Sequence, residues 1–219
     1  MEILNPNELQ KAAKILNDGG VIAFPTETVF GFGVVFDNEN AYKKLIQVKR
    51  RPPEKPFTVM LADPEEIEGI AYVDKRAKKL IKSFMPGQFT IILKAKESLP
   101  SYCVSTEGNV GIRISSDELV RNLIRETGKP LLVPSANKSG EAPLTNSDDV
   151  ILKFKDEIDG VIVGESISNI PSTIVIIDKE VKIIREGIIK KSDIEKVLGE
   201  QLWKYQLVVI TQAMPTKKK

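Results

Sequence analysis

The apolar residues of this chain change period many times, and each change marks an element. Leu9, Ala12, Ala13 and Leu16 recur at helical spacing after Asn5-Pro6-Asn7-Glu8. There Asn5 can cap, Pro6 suits the first helical position and Glu8 can serve as the acid of a capping box. Gly19-Gly20 closes that helix, and Val21-Ile22-Ala23-Phe24 follows as a short buried strand. Asn40 to Arg50 predicts a second helix with Ala41, Leu45 and Val48 inward. Phe57, Val59 and Leu61 alternate with Thr58 and Met60, the period of a strand. Asp74 to Phe84 is helical again; Met85-Pro86-Gly87-Gln88 breaks it, and Thr90 to Leu93 reads as a strand. Val110, Ile112 and Ile114 face one way, Gly111 and Arg113 the other. Ser116 and Asp117 open a helix that stops at Gly128, before a strand at Leu131-Leu132-Val133. Ser147 to Phe154 predicts a helix, Gly160 to Val163 a strand, and Ile174–Ile177 with Val181–Ile184 a hairpin. Ser192 with Glu195 reads as the capping box of a last helix, Asp193 to Leu198.

This order predicts one α/β (α+β) domain over residues 1–199, built on a twisted, open, mixed parallel and antiparallel sheet with flanking helices. Residues 200–219 differ in character. Leu202 to Ile210 is apolar and aromatic, and the chain ends in Lys217-Lys218-Lys219, which reads as a C-terminal extension: a strand, a plug or a frayed tail.

Composition removes whole classes of chemistry. The chain has 219 residues, 42% hydrophobic and 28% charged, as in an ordinary soluble globular protein. The net charge of +2, from 32 Lys+Arg against 30 Asp+Glu, does not describe a general polyanion binder, so any basic site is local. There is no histidine and one cysteine, Cys103. Imidazole bases, Ser-His pairs, His-ligated zinc and a disulfide framework are thereby excluded, while a hard cation bridging carboxylates or phosphates is not. No apolar run approaches the ~18 residues of a membrane span, and the N-terminus lacks a signal-peptide pattern. The expected location is the cytoplasm, with no membrane partner.

Polar chemistry gathers where elements end. Pro25-Thr26-Glu27-Thr28-Val29-Phe30-Gly31-Phe32-Gly33 sets hydroxyls, a carboxylate and glycines directly after a core strand, as in a ligand loop. Lys49-Arg50-Arg51-Pro52-Pro53-Glu54-Lys55-Pro56 puts four cations on an elbow that its prolines stiffen. Pro134-Ser135-Ala136-Asn137-Lys138-Ser139-Gly140 again opens a core strand into hydroxyl, amide and cation. Taken singly, these are also readable as a polar turn, a basic surface turn and, for Arg113, an arginine that snorkels to the surface or pairs with an acid there. Taken together, Lys49, Arg51, Lys55, Arg113, Lys138 and Arg185 could neutralise a triphosphate. Neither a Walker loop nor Gly-x-Gly-x-x-Gly is present. Spacing alone reaches a site for a phosphorylated ligand.

Pro25-Thr26-Glu27-Thr28-Val29-Phe30-Gly31, Lys49-Arg50-Arg51-Pro52, Pro134-Ser135-Ala136-Asn137-x-Ser139-Gly140, Ser172-Thr173 and Arg185 resemble, in this order, the YrdC-like family of threonylcarbamoyl-AMP synthases, over about residues 5 to 199. The resemblance implies a YrdC/RibB-like twisted sheet with a positively charged concave face. It implies a nucleotidyltransferase that joins L-threonine, bicarbonate and ATP into L-threonylcarbamoyladenylate and pyrophosphate, for the modification of adenosine 37 of tRNA. By the same resemblance Thr28, Arg113, Val133 and Ser172 surround the threonine, and Lys49 and Arg51 are the catalytic pair on the phosphates. Lys55, Asn109, Ser135, Asn137, Pro143 and Arg185 line the nucleotide, with Asn137 and Ser139 shaping the turn that carries Ser135. Mg²⁺ comes with ATP rather than on protein ligands. The implied partners are the complex that transfers the threonylcarbamoyl group and tRNA itself, and the tail after Gly199 is a candidate lid over a water-labile carbamate. Met60 stands where some relatives carry a histidine that contacts threonine. Two other readings stay open. One is the carbamoyl-adenylating module of hydrogenase maturation, whose larger chains add an acylphosphatase-like domain and Cys-rich zinc fingers. The other is an RNA-binding module, for which local cations exist but few interleaved aromatics.

Overall fold

The computed structural model describes residues 1–52 and 55–202. The strands are β1 (Glu2–Leu4), β2 (Ile22–Phe24), β3 (Gly31–Val35), β4 (Val59–Met60), β5 (Phe89–Lys94), β6 (Asn109–Arg113), β7 (Leu131–Leu132), β8 (Gly160–Ile162), β9 (Thr173–Ile177) and β10 (Val181–Arg185). The helices are α1 (Leu9–Asn17), α2 (Glu39–Lys49), α3 (Ile67–Ile70), α4 (Lys75–Phe84), α5 (Glu118–Thr127), α6 (Ser147–Phe154) and α7 (Lys191–Leu198). Among the described residues the strands join into one 10-stranded sheet, in the order β1-β8-β2-β3-β7-β4-β6-β5-β9-β10. β1·β8, β2·β8, β4·β6 and β5·β9 are parallel. β2·β3, β3·β7, β4·β7, β5·β6 and β9·β10 are antiparallel. The mixed, helix-flanked sheet is the architecture the sequence pattern predicts.

Local corrections have local causes. α1 begins at Leu9, a turn later than Asn5-Pro6 suggests, although the Glu8 carboxylate does accept from the Asn5 backbone N–H at 2.9 Å. In α7 the reciprocal acid is Asp193, which accepts from Lys190 N at 2.8 Å; Glu195 instead takes the backbone N–H of Leu202 at 2.7 Å. Gly31 and Gly33 lie inside β3 rather than in a loop. A Cβ on Gly33 would stand 2.6 Å from the Phe24 ring, and one on Gly31 2.7 Å from Val133, so glycine is what lets β3 pack this closely. β1 has no counterpart among the predicted strands. Its three residues are too few to show a period, and it is held by parallel pairing to the distant β8. The expectation of a strand, plug or lid after Gly199 falls on residues 203–219, outside the described residues.

The two faces of the sheet are covered unequally, and this places the site. On one face Phe32, Val34, Val59, Ile91, Ile112 and Val175 pack under α2, α4, α6 and α7 in a single core. On the other, Ile22, Phe24, Val35 and Leu131 pack under Ala12 and Leu16 of α1 and Val120, Leu123 and Ile124 of α5. This second core reaches Met60 of β4 and includes no residue of β5, β6, β9 or β10. Beyond that limit Ile92, Gly111, Ile174 and Ile176 are only half-buried, while their neighbours on the opposite face, Ile91, Ile112 and Val175, are buried. Among the described residues, half of one face is therefore an open floor.

The packing argument yields a contrast. Gly33→Ala should lower stability by about 1–3 kcal/mol through overpacking against Phe24. Gly111→Ala, whose Cβ would meet Thr58 at 3.7 Å, should shift it by less than about 1 kcal/mol. Urea unfolding with an unchanged m-value is the check; equal losses for the two would refute the argument.

Candidate active site

Strand registers set the floor. Met60 of β4 and Thr90 of β5 both pair with Arg113 of β6, and Thr90 pairs in turn with Ile174 of β9. Met60, Arg113, Thr90 and Ile174 thus form one row across four strands, pointing to the face that the second core leaves open. They line a pocket of about 270 Å³ with Thr28, Arg51, Val133, Ser135, Pro143, Ser172 and Arg185 among its walls.

The inner wall is the loop after β2. Thr26 Oγ1 donates to the Val29 carbonyl at 2.8 Å and accepts from the Thr28 N–H at 3.1 Å. Its one proton is thereby engaged, so in the 2.9 Å contact between the two hydroxyls Thr28 is the donor. Thr28 Oγ1 in turn accepts from Arg113 Nη2 at 3.0 Å. What Thr28 has left for the pocket is one lone pair. Arg113 Nη2 also meets Glu27 Oε1 at 2.9 Å, both residues being buried. Glu27 accepts from Ser116 N at 3.0 Å and from the Ser115 hydroxyl, and Gln88 Nε2 donates to the Glu27 carbonyl at 3.0 Å. The Arg113 Nε–H is buried with no partner among the described residues.

A second proton count applies opposite. Ser172 Oγ accepts from Arg185 Nη2 at 3.2 Å and lies 2.8 Å from Thr90 Oγ1. Two hydroxyl protons serve one shared bond, so one O–H of the pair remains to donate into the pocket. Arg185 Nε is fixed on the Ser172 carbonyl at 3.0 Å. Its outer edge is exposed, and partial desolvation, followed by the nearby Arg113, pushes it below the ordinary guanidinium range. Arg51 is held by the carbonyls of Lys55 and Pro56, at 2.9 and 3.3 Å, and lies over the Phe57 ring. Burial lowers its pKa as well, yet both guanidiniums stay charged.

Of the predicted residues, Thr28, Arg51, Arg113, Val133, Ser135, Pro143, Ser172 and Arg185 line the pocket. Lys49, Lys55, Asn109 and Asn137 do not. Lys49 is 2% exposed. It ends α2 beneath the Ser135 turn, where Nζ donates to the Ser135 carbonyl at 2.6 Å and to Asn137 Oδ1 at 2.9 Å. Asn137 is buried in the same turn, clamping the carbonyls of Lys138 and Glu141 at 3.0 and 2.8 Å. Lys55 is exposed, with its carbonyl bound by Arg51. Asn109 shares the face of Gly111 and Arg113 but stands at the far end of β6. Lys138 turns away to Glu157, 2.9 Å from its carboxylate. Sequence reasoning missed Glu27 and Thr90 as site residues. Glu27 lies in the quoted loop, but its partner comes from another strand; Thr90 joins the row only once register is known.

The chain belongs to the Sua5/YciO/YrdC family, described as telomere recombination, whose profile matches residues 14–187. Among relatives it is 35% identical over 199 residues to the threonylcarbamoyl-AMP synthase of Bacillus subtilis, covering 89% of this chain and 58% of that one. A Methanocaldococcus jannaschii protein given the same name provisionally is 36% identical over 192 residues, 85% of this chain and 90% of its own. The crystal structure of Pyrococcus abyssi Sua5 complexed with L-threonine superposes with a TM-score of 0.87 at 31% identity, over 92% of this chain and 62% of that one. The chain thus spans under two thirds of the length of the Bacillus protein and of the Pyrococcus chain.

Lys49 supplies a test of the geometry. Burial, and then Arg51, pushes its pKa from the ordinary 10.5 down to about 7. Between those values the unfolded chain holds the proton that the folded protein has released, so rising pH favours the fold. Relative to Lys49→Met, the wild type should gain stability from pH 7 to about pH 9.5, by at most about 1.4 kcal/mol per pH unit. Urea unfolding at both pH values measures it, and a flat or falling difference would contradict the buried placement.

Proposed function

We propose that this chain is an L-threonylcarbamoyladenylate synthase. It would join L-threonine, bicarbonate and ATP into L-threonylcarbamoyl-AMP and pyrophosphate, as a nucleotidyltransferase supplying the complex that modifies adenosine 37 of tRNA. The observation that carries the reading is the convergence, in one pocket, of a hydrogen-bonded inner end at Thr28, Arg113 and Ser172 with a cationic mouth at Arg51 and Arg185. The threonine-bound Pyrococcus relative and the named synthases support it.

In this reading the amino acid lies at the inner end. Its carboxylate faces Arg113, its amine faces the free lone pair of Thr28, and the spare O–H of the Ser172–Thr90 pair faces an acceptor on the ligand. The ammonium of the bound zwitterion passes one proton to bicarbonate, which breaks down to carbon dioxide and water; the resulting neutral amine bonds to that carbon and releases its second proton to water, giving a carbamate. A carbamate oxygen then bonds to the α-phosphorus as the bond to the β-phosphate oxygen breaks, and pyrophosphate leaves. The protein's contribution is alignment and charge stabilisation. Arg51 and Arg185 take up the charge that grows on the leaving group. Lys49 holds the Ser135 turn against the nucleotide rather than lying in the open pocket. Among the described residues no carboxylate lines the pocket, so Mg²⁺ would enter on the phosphates as part of the ATP substrate.

Purified protein should release pyrophosphate only when L-threonine, bicarbonate and Mg-ATP are all present, and far less with L-serine. Arg185→Ala, at an exposed position, should lower kcat/KM on the order of 100-fold while leaving the fold intact. A coupled pyrophosphate assay with each substrate omitted in turn is the measurement; release that persists without threonine would defeat the reading.

A further inference from the structure

Arg113 does not stand in the pocket as a free cation. Its Nη2 donates to Thr28 Oγ1 at 3.0 Å and lies 2.9 Å from Glu27 Oε1 in a buried ion pair. Turning the guanidinium plane would therefore separate a buried ion pair. Glu27 is itself 5% exposed and held by the Ser116 N–H and the Ser115 hydroxyl, which follow β6 immediately. Arginine and carboxylate are thus locked by the same stretch of backbone. Glu27 is not among the residues lining the pocket. It works through Arg113.

We infer that Glu27 is a positioning and specificity-determining residue: it aims Arg113 and cancels its charge, so that the inner end accepts a zwitterion while polyphosphate is left to the mouth. This rests on the synthase reading above. The charge argument is direct. Without Glu27 the described residues of the pocket would hold three uncompensated guanidiniums, Arg51, Arg113 and Arg185, and phosphate would compete with the amino acid for its inner end. With Glu27 the inner pair sums to zero, and the surplus of two charges sits on Arg51 and Arg185. A neutral but dipolar end, with one acceptor at Thr28 and donors at Arg113, matches an α-amino acid better than an anion. The two substrates are sorted by charge along a single pocket.

The test is calorimetric titration of the whole protein with L-threonine and, separately, with inorganic pyrophosphate. Glu27→Gln keeps the shape and removes the charge. It should weaken L-threonine at least about tenfold, raise the KM for threonine but not for ATP, and leave pyrophosphate binding unchanged or a few fold tighter. Ser115→Ala keeps the carboxylate but removes one of its donors; it should weaken threonine a few fold with pyrophosphate unmoved, and it decides the matter if Glu27→Gln does not fold. Equal loss of both ligands would reduce Glu27 to a scaffold residue and overturn the inference, as would unchanged threonine binding. A wild type that binds no L-threonine would instead overturn the synthase reading itself.

Discussion

One buried ion pair, Glu27 with Arg113, ties together parts of the sheet that do not touch through the backbone. Glu27 follows β2 and Arg113 ends β6, and in the sheet β3, β7 and β4 lie between those strands. Burying two charges costs several kcal/mol per ion, which mutual attraction alone does not reliably offset. Here the cost is met by hydrogen bonds: two donors on Glu27, from the Ser115 hydroxyl and the Ser116 N–H, and Thr28 as acceptor for Nη2. By contrast, exposed pairs such as Lys14–Asp18 and Lys43–Glu39 contribute little. What distinguishes the buried pair is location. It fixes the loop carrying Thr28 over the floor carrying Arg113, and without it the pocket has no defined inner end.

The floor exists because the second core stops at β4. α1 and α5 cover β2, β3 and β7, and nothing in that core extends over β5 or β6. A sheet with one face fully packed and half of the other open is rigid from below and accessible from above, which suits a site whose work is alignment. Because β4, β6, β5 and β9 are neighbours, residues far apart in sequence fall into one row. Met60 in that row is an apolar wall beside Arg113, so the polar groups at this end of the pocket are Arg113, Thr28, Thr90 and Ser172.

What could be read from the sequence follows the range of each interaction. Helix caps are local, and Asn38, Asp74, Asp117 and Asn146 each accept from the first turn of their helices. Strand alternation is local too, and it put Arg113 on the face opposite Val110 and Ile112. The Lys49–Pro56 elbow was legible as a break, since Arg50 takes the left-handed conformation at the end of α2. Register is not local. Nothing in the order of residues says that Met60 and Thr90 flank Arg113, or that Glu27 meets it. Burial of a charge is hidden for the same reason: Lys49 looks like its neighbour Arg51, yet one lies inside a turn and the other on the pocket wall. The motifs marked stretches that border the pocket while leaving open which of their side chains face it.

A chain without histidine must carry out its chemistry without an imidazole, and the hydrogen-bond counts indicate how. Thr28 and the Ser172–Thr90 pair have their direction set by neighbours that are already engaged. Thr26 is bound to a carbonyl, so Thr28 presents a lone pair; Arg185 donates to Ser172, so the Ser172–Thr90 pair presents a proton. Fixed polarity of this kind requires no titrating group and does not change with pH near neutrality. In the proposed reaction it would orient an amine on one side and an acceptor on the other, leaving little reorganisation for the bond-making step. In the proposed adenylation step a carbamate attacking phosphorus needs no proton removed from it, and the demand of that step is charge on the leaving group, which guanidiniums meet at any physiological pH. The absence of histidine is therefore consistent with a site built on fixed donors, fixed acceptors and permanent cations.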